Sequence, residues 1–216
     1  MSKVIIIGAH GKVALLTAPR LVAAGHQVTG VIRNVEQSDD VRRTGAEAVV
    51  ADVERLSTDQ IAELLAGQDV VVWSAGAGGG NPERTYAVDR DAAIRTIDAA
   101  EQAGASQFVM VSYFGAGPEH GVDPGSDFFP YAESKTEADA HLTASSLGWT
   151  ILRPSRLTDE TGTGGIEAGV DVTGREVARA TVADVITAVV GAPDATQGRT
   201  LEFNDGGQPI SDVIAG

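Results

Sequence analysis

Tyr131 and Lys135 stand four residues apart in Tyr-Ala-Glu-Ser-Lys, in a chain that holds only three tyrosines and three lysines. On a helix this spacing puts both side chains on one face. A Tyr hydroxyl, with an ordinary pKa of about 10, is a poor acid or base near neutrality, and an adjacent ammonium stabilises its phenolate. The pair therefore reads as acid–base machinery, against the plainer alternative of a solvated helix carrying an incidental Tyr and Lys. A second constellation lies at the other end of the chain. An apolar run over residues 4–7 enters Gly8-Ala-His10-Gly11-Lys12-Val13-Ala14, a strand, a glycine turn and a helix start. A dinucleotide's diphosphate requires this arrangement: the turn lets backbone approach the phosphates, and the helix N-terminus offers unpaired N–H groups and partial positive charge. Gly8 permits the tight turn, Gly11 the close approach, and Ala14 is small where helix meets strand. His10, Lys12 and Val13 are further contacts from the same turn. The spacing is G-x-x-G-x-x-A rather than G-x-G-x-x-G.

The end of the second strand bears on which dinucleotide is bound. A site for NAD places an Asp or Glu there, about 20 residues past the glycines, on the ribose 2′-hydroxyl. This chain has Val31-Ile32-Arg33-Asn34. A carboxylate repels a 2′-phosphate, whereas a guanidinium pairs with it, so Arg33 favours NADP(H) over NAD(H). The alternatives are that Arg33 only solvates a strand end and that nearby Glu36 turns inward. Asp52 and Val53, closing the third strand, sit where an adenine amino group is accepted, and Asp52 serves equally as a helix cap.

These residues need a scaffold, and the chain alternates strand and helix patterns throughout. Strands are expected over 3–7, 28–32, 48–51, 70–73, 108–112 and 149–153, with a last one over 200–203. Helices are expected from the glycine turn to Ala24, over 58–65, 86–103 and 131–147, and from a Thr181 cap to Ala188. Such alternation means an α/β fold with a doubly wound parallel sheet. Irregular stretches over 76–82, 115–130 and 154–169 follow strand ends, where ligands lie in open α/β sheets. Residues 1–216 read as a single domain with a small C-terminal substrate-side portion.

Composition narrows the function classes. The 216 residues carry a net charge of −14 and 43% hydrophobic residues, an ordinary globular balance whose sign disfavours nucleic acid and anionic membranes. The chain has no Cys, and its four His (His10, His26, His120, His141) lack zinc-ligand spacing. No metal is implied. The first apolar run is too short for a secretory signal and none approaches the roughly 18 residues of a membrane span, so the chain reads as cytoplasmic. The acidic surplus reads as solvated surface, with Asp89 and Asp91 suiting the dipole at the start of a long helix.

Taken in order, Gly-Ala-His-Gly-Lys-Val-Ala, Arg33, Ser74-Ala75-Gly76, Val-Ser112-Tyr-Phe-Gly, Tyr131-x-x-x-Lys135 and Leu152-Arg-Pro154 cover nearly the whole chain. Together they resemble an atypical short-chain dehydrogenase/reductase, of the compact NAD(P)H-binding Rossmann type related to NAD-dependent epimerase/dehydratases. The stretches over 157–162 and 179–184 also resemble that subgroup. The resemblance implies that Ala75 and Gly76 lie along the dinucleotide, that Pro154 and Ser155 flank the nicotinamide, that Tyr131 and Lys135 match the active pair, and that Ser112 orients the substrate oxygen. Two departures qualify it. Ser112 is followed by Tyr113 and Phe114 rather than by further hydroxyls, which puts its reach in question. The stretch after Pro154 is also too short for the substrate lobe of a sugar-nucleotide epimerase.

The expected function is therefore hydride transfer between NADP(H) and a small carbonyl or quinone-like substrate, with Tyr131 as proton donor and Lys135 both as its partner and as a hydrogen-bond donor to the nicotinamide ribose. A non-catalytic NADP(H) sensor engaging a protein partner, and a small-substrate epimerase or isomerase with tightly held cofactor, are the alternatives. Phe128, Phe129 and Pro130 read either as an apolar lid or as loop anchors, and His120 as a second proton donor or a surface His.

Overall fold

A computed structural model describes residues 1–169 and 172–216. Its centre is an eight-stranded sheet in the order β3-β2-β1-β4-β5-β6-β10-β8. The strands are β1 (Lys3–Ile7), β2 (Gln27–Ile32), β3 (Glu47–Val50), β4 (Val70–Trp73), β5 (Gln107–Val111), β6 (Gly148–Pro154), β8 (Gly165–Ala168) and β10 (Arg199–Gly206), while β7 (Arg156–Thr158) and β9 (Glu176–Ala178) pair separately. Seven strands of the main sheet run parallel; β8 pairs antiparallel on β10 at the edge. The expected doubly wound sheet is thus present, with one antiparallel edge added.

Both faces of the sheet are covered, as parallel strands demand. Along β1, Val4 and Ile6 face one apolar cluster while Ile5 and Ile7 face the other. β4 repeats the split, with Val70 and Val72 on the first side and Val71 and Trp73 on the second. The first layer is built from α1 (Lys12–Ala23) and α7 (Arg179–Gly191), the second from α3 (Thr58–Leu65), α5 (Ala93–Ala103) and α6 (Phe129–Thr143). Fully burying a side chain such as Phe108 stabilises the fold by about 1.5–3 kcal/mol. Local signals set several boundaries. Ser57 and Gln60 form a reciprocal cap on α3, and Gly104 closes α5 in the left-handed region at φ 73°.

Three expectations need correction. The helix expected over 86–103 starts earlier, at an Asn81 cap, and its middle portion Tyr86–Ala92 is a wider π-helix. Asp89 therefore does not sit on a solvated helix start; it is buried, at 1% exposure. Thr181 does not cap α7 but lies inside it, its hydroxyl donating to Asp205 of β10, which also accepts from the Ala178 N–H at 2.8 Å. Finally, the short strands β7, β8 and β9 and the helix α2 (Ser38–Arg43) carry too few periodic residues to register in the sequence. No helix among the described residues is long and apolar enough to cross a membrane.

Candidate active site

The sheet reverses its winding between β1 and β4, and a cleft opens beyond the carboxyl ends of these strands, as expected of this topology. Gly8, His10, Gly11, Arg33, Asp52, Val53, Ala75 and Gly76 all line it, so most of the expected cofactor contacts converge. Gly8 makes the tight turn and, lacking a side chain, lets the Ala75 backbone pack against it. Its φ is +84°, and a Cβ placed there would lie 2.6 Å from the Ala75 Cα. Gly11 instead caps α1 in extended conformation, its N–H donating to the Gly8 carbonyl at 2.9 Å. The first turn of α1 holds no acidic residue, leaving its free N–H groups for an anion. Val13 and Ala14 are buried beneath that turn.

The cations around the cleft differ in how they are held. Lys12 donates to Asp159 at 2.9 Å, and Asp159 also accepts from Arg179 at 2.7 Å, which holds its carboxyl below the usual range. His10 Nε2 lies 2.9 Å from Asp40. Arg33 is exposed at the rim and has no ion pair or side-chain hydrogen bond among the described residues. Glu36 does not line the cleft and instead takes a 3.5 Å contact from Asn34. Asp52 lines the cleft, where an adenine contact was expected; it does not cap a helix, since its carboxylate accepts from the Glu54 N–H of a turn at 3.3 Å and the following helix is capped by Ser57. A dinucleotide fits this cradle, because α1 begins at it with free N–H groups and no acidic residue in its first turn, and bare Gly8 lets the Ala75 backbone pack against the turn.

A second cavity lies past β5 and β6, walled by Tyr131 with Pro154 and Ser155. Pro130 in the first turn of α6 fixes where that helix starts, and Tyr131, Lys135 and Asp139 then follow at intervals of four along one face. Tyr131 packs its ring 5.5 Å from Tyr113 and 5.3 Å from Phe128. Of the three residues read as a lid, Phe128 walls the cavity, while Phe129 turns to His120 at 5.7 Å. The His120 Nδ1 accepts from the Val122 N–H at 3.1 Å and does not reach the cavity.

Behind Tyr131 lies a group of buried charges. Lys135 is 1% exposed, and its nearest polar contact is the Met110 sulfur at 3.5 Å. Burial lowers its pKa, and the carboxylates of Asp89 and Asp139 oppose that. Burial raises Asp89 and Asp139 in turn, with Lys135 opposing in both. Tyr131 is pushed above its ordinary value by burial first and then by the same two carboxylates. The expected pairing is thus corrected: Lys135 faces Asp89 and Asp139 rather than the phenol, lines neither cleft nor cavity, and leaves Tyr131 with its pKa raised, as the neutral phenol. Ser112 lies on the face of β5 that carries Met110, two residues away, and points toward α6; its hydroxyl donates to Asp139 at 2.8 Å and does not line the cavity.

Two residues of this group were not singled out for the site from sequence. Asp139 had a signal, since it continues the Tyr131–Lys135 spacing by another four residues. Asp89 had none: it reaches the site because the π-helix turns it inward, where it accepts from the Ala77 N–H at 2.9 Å and lies 3.0 Å from where a Cβ of Gly76 would stand.

Residues 8–193 match the model of a family described as NAD(P)H-binding. The chain belongs to that NAD(P)H-binding family. A Bacillus subtilis protein described as an uncharacterized sugar epimerase, YhfK, is 34% identical over 219 residues, 98% of each chain. Among solved structures, a Bacillus halodurans protein provisionally described as an NAD-dependent epimerase/dehydratase superposes with a TM-score of 0.90 at 34% identity, covering 99% of both chains. The Lactococcus lactis oxidoreductase ylbE superposes at 0.85 with 28% identity, over 98% of this chain and 94% of its own. The resemblance read from the motifs is thus met: this is an NAD(P)H-binding protein with the fold of oxidoreductases and epimerase-like proteins.

Proposed function

We propose that this NAD(P)H-binding protein is an NADP(H)-dependent oxidoreductase that reduces a small carbonyl or quinone-like substrate, with Tyr131 as proton donor. The observation that carries the reading is that Tyr131 walls a cavity together with Pro154 and Ser155, at the strand ends adjoining the dinucleotide cleft. NADPH, if bound along Gly8, Gly11 and Ala75, would supply a hydride, a proton with two electrons, to the substrate. The substrate oxygen takes the proton of the Tyr131 hydroxyl, giving an alcohol when the hydride reaches a carbonyl carbon and a hydroquinone when it reaches the far oxygen of a quinone, and Tyr131 recovers its proton from solvent at the open mouth. Burial keeps Tyr131 protonated before the reaction, and Phe128 and Tyr113 screen it from water. Lys135, one turn further along α6, opposes the two carboxyls that disfavour the phenolate.

A screen of NADPH consumption against aldehydes, ketones and quinones, repeated with Tyr131→Phe, tests this. Loss of a general acid is expected to lower turnover by about 10²-fold or more. Unchanged turnover in the variant removes Tyr131 from the role. One observation favours a second reading: Ser112 is spent on Asp139 rather than presented to the cavity. Cofactor binding with no turnover on any acceptor would favour an NADP(H)-binding sensor.

A further inference from the structure

The cavity beside Tyr131, about 440 Å³ in volume, has an unusual lining for so acidic a chain. Four of the chain's ten aromatic residues, Tyr113, Phe114, Phe128 and Tyr131, form its walls, and two guanidiniums, Arg156 and Arg175, stand at it. Among the described residues no carboxylate lines it. Such a volume suits a small organic ligand. Flat aromatic walls favour a planar conjugated ring system, and a pair of forked cations favours a carboxylate or similar anion.

The segment carrying Arg175 is built into place. Asn204, 1% exposed, accepts from the Arg175 N–H at 2.8 Å and donates to the Thr173 carbonyl at 3.1 Å, while the Ser155 hydroxyl also donates to it. Gly174 lies flat on Phe114, where a Cβ would stand 2.9 Å from the ring. The backbone is therefore fixed, but the guanidiniums are not. Arg175 is 3.7 Å from Glu167 with its side chain 68% exposed, and Arg156 pairs across strands with Glu176 with its side chain 75% exposed. Exposed pairs of this kind contribute little to stability, so a ligand anion displaces the glutamates at small cost.

We infer that this cavity takes a planar conjugated carbonyl compound bearing an anionic substituent, with the ring between the aromatic walls and the anion on Arg175 and Arg156. The inference rests on reading the Tyr131 cavity as the substrate site, and it names the class of substrate.

The test uses 6-formyl-2-naphthoate and its methyl ester, which share ring and aldehyde and differ in charge. Calorimetric titration into the full chain saturated with NADP⁺ reads binding without turnover, and NADPH consumption reads turnover separately. The carboxylate is expected to bind at least about ten-fold more tightly than the ester, and that preference is expected to fall toward unity in Arg156→Ala/Arg175→Ala. An Arg156→Lys/Arg175→Lys variant retains the charge and should retain part of the preference, which separates a lost anion site from a disturbed fold. Equal binding of the two probes, binding of neither, or a preference that survives in the alanine variant overturns the inference. A carboxylate preference lost in the alanine variant, but without NADPH consumption on either probe, leaves the anion site standing and overturns the reductase reading instead.

Discussion

Gly8→Ala is the substitution on which the cofactor cleft most directly depends. A Cβ at this position meets the Ala75 Cα at 2.6 Å and the Ala75 nitrogen at 2.8 Å, and both are backbone atoms that no rotamer change can move. The φ of +84° adds a second penalty, since an L-residue in the left-handed region costs about 1–2 kcal/mol. Gly25 provides the control, for its φ is +89° and a Cβ there meets nothing within 4 Å. Gly25→Ala therefore isolates the backbone term of about 1–2 kcal/mol, or about 2–8 °C of melting temperature in a chain of this size. Gly8→Ala adds overpacking of about 1–3 kcal/mol, for a total of about 2–5 kcal/mol. The relief available is movement of the Ala75–Gly76 backbone, which lines the cleft. NADPH affinity by isothermal titration is expected to fall at least about ten-fold in Gly8→Ala and to stay within about two-fold in Gly25→Ala. If Gly8→Ala melts no lower than Gly25→Ala and binds NADPH as the parent does, the contact between the two loops is not what shapes the cleft.

Two further outcomes follow from the charges. Arg33→Ala is expected to weaken NADPH by about 5- to 30-fold, the effect of about 1–2 kcal/mol for one partly screened guanidinium–phosphate pair, while NADH stays within about two-fold; equal losses for both cofactors would remove Arg33 from 2′-phosphate recognition. Asp89 has a folded-state pKa raised by burial, so the native state binds more protons than the unfolded chain above about pH 4, and stability falls as pH rises through that window. Asp89→Asn keeps an acceptor for the Ala77 N–H and should flatten that fall in urea melts run from pH 4 to pH 8; an unchanged slope would show that Asp89 does not titrate differently in the two states.

How far the sequence reached depends on how local each cause is. The strand over 3–7, its glycine turn and α1 were legible because apolar run, turn and helix start are contiguous. Arg33 was legible because the end of β2 is fixed by chain order. Ser112 shows where such reasoning stops. Its place at the end of β5 was readable, but the direction of its hydroxyl depends on strand alternation and on Asp139 arriving from α6. Asp89 stops it for another reason, since neither the π-helical widening nor the bare Cα of Gly76 has a periodic signature. The Thr181 cap failed because Asp205, distant in sequence, competes for the same hydroxyl and supplies the α7 start itself.

The acidic composition takes on a different meaning once the charges are placed. Among the described residues the fully buried charged side chains are Asp89, Lys135 and Asp139, and they form one group behind Tyr131. Burial raises both carboxyls and lowers the Lys135 amine, each away from its charged form, and among the described residues no carboxylate lies within ion-pairing distance of Lys135 to offset its burial. One Asp139 oxygen is buried with no hydrogen-bond partner, although Arg153 reaches the other at 3.2 Å. A fold selected for stability alone would place apolar side chains here, since unpaired buried charge costs several kcal/mol. The expense is concentrated directly behind Tyr131, one of two phenols that wall the aromatic cavity, where such an arrangement alters proton affinity as well as packing. That coincidence of cost and position, more than the Tyr131–Lys135 spacing by itself, is the ground for proposing that Tyr131 reacts, and Tyr131→Phe tests it.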